Sequence, residues 1–180
     1  MMEVPKTHPI RRWFAGLVEE SFQQELGLCD PRVLDYLTDL LTTFLHIERI
    51  NAAPDGSGRR IEEIALLLSE AELAHAGVSN DERRRVIHRH IGDFTLFWTG
   101  VYPEQLRRMR RHGGVDQLLD YFAQGKRSYA IASELSSDLT VPAATVLRAM
   151  SEHFEYCVYG LGLVRRHWEE SDGGSNLSLW

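Results

Sequence analysis

Apolar residues recur at helical spacing along almost the whole chain. With successive residues rotated by about 100°, Ile10, Trp13, Phe14, Leu17, Phe22 and Leu26 fall on one stripe and predict a helix over 10–26. Gly27 suits its end, and Asp30-Pro31 supplies a capping side chain followed by proline at a first helical position. A second helix, 31–50, carries Val33, Leu34, Leu37, Leu40, Leu41, Phe44 and Leu45 on its apolar side. The stretch 51–60, NAAPDGSGRR, has turn chemistry and reads as the one internal loop. A third helix is expected over 61–75, stopping at Gly77. A fourth is capped by Ser79 or Asn80, carries Asp81 and Glu82 in its first turn and ends near Gly100. A short fifth helix over 103–111 stops at Gly113-Gly114, and a sixth covers 115–136. The seventh starts near Pro142 and runs toward Glu170, with Gly160 and Gly162 as expected kinks.

No segment alternates with period two. The expected fold class is therefore all-α, a single-domain bundle of about six to seven helices over residues 1–170, with a flexible C-terminal tail at 171–180.

The 180 residues suffice for one substantial core. A net charge of −6 argues against general nucleic-acid binding through phosphate neutralisation. No segment reaches the roughly 20 apolar residues of a membrane span. The apolar stretch after Arg11-Arg12 ends at Glu19-Glu20, too soon for an export signal. Cys29 and Cys157 are far apart and outside any metal-binding spacing, so a cytoplasmic location is expected.

Candidate chemistry centres on residues 89–98, RHIGDFTLFW, where a histidine and an aspartate interrupt a strongly apolar run. On the wheel His90 sits at the centre of the arc of Ile87, Phe94, Phe97 and Val101, with Asp93 at its edge. Gly92, Thr95 and Thr99 line the other side and allow a second helix to come close. Glu48 falls on the apolar arc of the second helix, and Lys126 falls between Leu119, Phe122 and Tyr129 on the sixth with Ser133 near. An unpaired buried polar group costs about 1–3 kcal/mol, so each of these needs a partner.

His90, Asp93, Glu48 and Lys126 are therefore the candidate catalytic groups, with Tyr129 and Ser133 as candidate ligand contacts. The competing reading is that each is satisfied locally by packing, hydrogen bonding or reach to water. Glu72-Leu73-Ala74-His75 has the spacing of one half of a carboxylate-bridged di-iron site, but it occurs once and at the wrong depth for Glu48 and Asp93. Glu72 and His75 remain weak metal candidates, and no cofactor is expected. Ser128 and Ser133 lack a nucleophile turn, and a Cys157–His153 dyad is the remaining nucleophilic arrangement. The basic run 107–112 reads as the solvated face of a short helix.

Tyr156, Tyr159 and Leu163 form a second apolar stripe on the last helix, opposite Leu147, Met150, Phe154, Val158 and Leu161. That predicts an interface, with a homodimer as the expected assembly. The expected function is a non-catalytic module that binds a partner protein or small ligand. The alternative is an enzyme with a polar pocket of His90, Asp93 and Glu48 inside the bundle, with one divalent metal as an option.

Overall fold

The computed structural model describes residues 7–50, 81–104 and 121–171, and of 46–50 only the backbone. These residues form six α-helices and no strand: α1 (Pro9–Glu19), α2 (Pro31–Ile50), α3 (Asp81–Gly100), α4 (Tyr121–Glu134), α5 (Ala144–Glu152) and α6 (Phe154–Ser171). The expected loop 51–60, the helices over 61–75 and 105–111, the basic run 107–112 and the tail beyond 171 lie outside the described residues. No helix among the described residues is long and apolar enough to cross a membrane.

The helix ends follow local chemistry. At α1, His8 Nδ1 accepts the Ile10 N–H at 3.3 Å and Pro9 occupies a position whose missing donor is harmless. The chain continues past Glu19 into a wider π-helical segment, Glu20–Glu25. Gly27, at φ 69°, stops it in the left-handed conformation, and the Leu28 N–H closes back onto the Phe22 carbonyl at 2.9 Å. Asp30 then caps α2 by accepting the Arg32 N–H at 2.9 Å.

The predicted stripe of α2 is buried from Val33 to Phe44, with Leu45 at its edge. In α1 the buried apolar set is Phe14, Leu17 and Val18, whereas Trp13 is partly exposed, tilted against the Phe14 ring and edge-to-face with Trp168. Arg11 is buried in its place, held by Asp35 at 2.5 Å and Asp39 at 2.6 Å from α2. Removing Arg11 therefore takes away a buried guanidinium that both α2 carboxylates share.

α3 is the centre of the bundle. Every residue from Ile91 to Val101 is buried, and the helix packs most extensively on α4, then on α6, and on α2 over a short length. Its two threonines cause no polar deficit: Thr95 donates to the Ile91 carbonyl at 2.8 Å and Thr99 to the Thr95 carbonyl at 2.6 Å. The small-residue side is used as expected. A Cβ on Gly92 would lie 2.9 Å from the Tyr129 ring, and one on Gly125 would lie 2.6 Å from Thr95 Oγ1, so α4 approaches through those two glycines.

The expected single helix from Pro142 to Glu170 is two. It breaks at His153 (φ −106°, ψ 25°), which lets α5 lie against α4 and α2 while α6 crosses α3 and α1. Gly160 and Gly162 produce no break. Gly160 instead receives the Phe22 ring, whose nearest atom would sit 2.2 Å from an added Cβ.

Candidate functional site

Gly92 and Asp93 act together. Because Gly92 has no side chain, the Tyr129 ring lies flat on α3, and its hydroxyl reaches the next residue, donating to Asp93 Oδ1 at 2.8 Å. Tyr36 of α2 donates its hydroxyl to the same oxygen. Arg89 Nε stands 4.0 Å from Oδ2, close enough to act by charge but beyond hydrogen bonding. Three helices thus converge on one carboxyl.

Burial pushes the Asp93 carboxyl above its ordinary range. The Tyr36 hydrogen bond, the Arg89 charge, the Tyr129 hydrogen bond and His90 act in the opposite direction. Burial, reinforced by Asp93, holds both phenols well above their usual value, so they remain neutral donors. The arrangement is an internal polar network whose donors come from the chain itself. Such networks tie packed elements together.

The predicted residues separate on this geometry. Asp93 and Tyr129 are brought together. His90 is half-buried rather than central, stacked on Phe44 with ring centroids 6.4 Å apart, because α2 covers that side of α3 only in part. The enclosed histidine is His88, two residues earlier. Lys126 lies at the surface and pairs with Glu155 at 2.9 Å, since the buried face of α4 is Tyr121, Gly125, Ser128, Tyr129, Ala132 and Ser133 and leaves Lys126 and Phe122 outside. Ser133 is buried but donates to the Ala130 carbonyl of its own helix at 2.8 Å. The Glu48 side chain, Glu72 and His75 lie outside the described residues. Leu163 departs from the expected interface stripe: it is 2% exposed, buried within its own chain, while Tyr156 and Tyr159 project.

Tyr36 is the site residue that the periodicity did not single out. It lies at the edge of the α2 stripe, and its signal is the need of an enclosed phenol for a partner. A second constellation links distant segments. Ser21 Oγ lies 3.1 Å from His167 Nδ1, and His167 Nε2 lies 3.1 Å from Glu25 Oε1. The order hydroxyl–imidazole–carboxylate is that of an activated nucleophile, but Ser21 is fully enclosed, so the set works as a strap from the π-helical segment to α6. At the turn before α5, Leu139 and Val141 project into solvent beside Asp138.

Cys157 and His153 form no reactive pair. The Cys157 thiol is enclosed in the core and burial pushes it up to about 12, while the His153 side chain is exposed. A thiol reagent applied to the folded protein should label Cys29, which is exposed, and reach Cys157 only after denaturant is added. Two equally fast thiols before denaturation would contradict this placement.

The chain matches no protein-family model, and it shows no significant similarity to a curated protein or to a solved structure.

Proposed function

We propose that the protein is a non-catalytic helical module that docks through the outer face of α6, and that its partner there is a second copy of the chain. The observation that carries this reading is the exposure of Tyr156 and Tyr159, 58% and 59%, on an ordered helix whose other large apolar side chains are turned inward or half-covered. Large rings left on a rigid surface favour a protein contact, where the ring is buried and the hydroxyl keeps a partner.

The charges on the same face favour self-pairing. Glu155 and Arg166 are both exposed and flank Tyr159 at opposite ends. Two α6 helices laid antiparallel about a two-fold midway between them, at Gly160-Leu161, set Glu155 of each copy opposite Arg166 of the other, the self-complementary pattern of an isologous dimer. Glu155 is also paired with Lys126 in its own chain, but both side chains are about half exposed, and such a pair is weak enough to be exchanged. The Tyr36–Asp93–Tyr129 network supports a non-catalytic reading over an enzyme built on His90, Asp93 and Glu48, because both donors to Asp93 come from the chain's own packing. The exposed thiol of Cys29 fits a reducing, cytoplasmic setting.

Light scattering on the purified chain should return twice the 20.6 kDa chain mass. Tyr159→Glu should return a single chain with helical circular dichroism unchanged. A wild-type protein that is monomeric at high concentration refutes the reading.

A further inference from the structure

The first half of α3 carries Arg84, Arg85, His88 and Arg89, residues that successive helical rotations gather on one side of the helix. Their chain partners satisfy them only in part. Glu82 takes Arg85 Nε at 2.9 Å and Nη2 at 2.6 Å, and Asp81 takes Arg84 Nη1 at 3.3 Å. Among the described residues, four nitrogens on this side are buried without a hydrogen-bond partner: Arg84 Nε, Arg85 Nη1, His88 Nδ1 and Arg89 Nε. Arg85 and His88 are enclosed, at 7% and 9% exposure. Native proteins leave few such atoms unpaired, and a group of them calls for a partner: ordered water, an ion or a ligand.

The sign of the ligand follows from the groups present. The charges of Arg84 on α3 and Arg127 on α4 act on the His88 ring, and Arg85 and Arg89 lie on the same side of α3. Asp81 and Glu82 are already engaged with Arg84 and Arg85, and Asp93, which takes the two tyrosine hydroxyls, offsets part of the Arg89 charge from 4.0 Å without hydrogen bonding to it. We propose that this side of α3 binds a tetrahedral oxyanion of the phosphate class, with Arg85 Nη1 and His88 Nδ1 as its enclosed donors and Arg84, Arg89 and Arg127 supplying charge. Guanidinium groups match the geometry and charge of phosphate oxygens, and water-poor surroundings strengthen each bond. The source of the phosphate is either the free ion or a small phosphomonoester. The site is separate from the α6 face and does not rest on the dimer reading.

The test is calorimetric titration of the full chain with inorganic phosphate and, separately, with glycerol 3-phosphate. Saturable binding of either supports the site, and the tighter of the two identifies the source. Arg85→Gln should weaken that binding about tenfold, the loss expected for one charge-assisted hydrogen bond, while Arg32→Gln, on an exposed arginine at the start of α2, should leave it unchanged. A second readout needs no variant. Burial, Arg84 and Arg127 hold the His88 imidazole below its ordinary value, so an anion beside the ring should raise its titration midpoint in histidine NMR spectra. No saturable heat with either probe, binding indifferent to Arg85→Gln, or a His88 midpoint that phosphate does not move overturns the proposal.

Discussion

Asp93→Ala should lower the unfolding free energy by about 3 kcal/mol at neutral pH, because it strands the hydroxyls of Tyr36 and Tyr129 inside the bundle at about 1–3 kcal/mol each. Asp93→Asn keeps an acceptor oxygen in place and should stay within about 1 kcal/mol of wild type, since a neutral amide also avoids burying a charge. The pH dependence separates the two states of the carboxyl. Its folded value lies above the unfolded 3.8, so the folded protein holds the proton more tightly. The stability this contributes is complete below 3.8 and is lost as pH rises through the folded value. Wild type should therefore gain on Asp93→Asn toward acid and lose on it toward neutral pH. Urea melts of both proteins at about pH 4 and about pH 7 check this. A wild-type advantage that grows with pH would mean that the carboxylate, not the acid, is the form the network favours.

Gly160→Ala should be as damaging, at about 3 kcal/mol, although alanine is the better helix former by about 1 kcal/mol. The added methyl would meet the Phe22 ring at 2.2 Å, and that ring is fully enclosed between the π-helical segment and α6, so neither side yields cheaply. Gly16→Ala is the matched control: nothing lies within 4 Å of its Cβ position, so propensity alone acts and the variant should gain about 0.5–1 kcal/mol. Phe22→Leu in the Gly160→Ala background should recover part of the loss, with a coupling above about 1 kcal/mol in a double-mutant cycle. Additive effects would place the strain elsewhere.

The helical class and several helix ends were legible because their causes are local. Gly27, Asp30-Pro31 and Asp81-Glu82 act within one turn of where they stand. The burial of Asp93 was legible for the same reason, since its arc is filled with apolar residues. What escaped depends on which neighbour covers which face. Leu119 and Phe122 share a stripe in sequence that takes in Lys126, whereas α4 turns its glycine side to α3, which moves Lys126 to the surface. Leu163 shares a stripe with Tyr156 and Tyr159 in sequence but is covered by its own chain. The break at His153 has no glycine or proline to announce it. Ser21 and His167 are 146 residues apart, and no spacing rule joins them.

The enclosure of α3 also constrains how the chain is made. Its apolar stretch from Ile91 to Val101 is covered by α2 on one side and by α4 and α6 on the others, and α6 ends only at Ser171. During synthesis the ribosome must therefore deliver the whole of α6 before α3 can be closed. Until then Leu96, Phe97 and Trp98 belong to a nascent chain that lacks its final cover, the state in which exposed apolar surface invites aggregation or a chaperone.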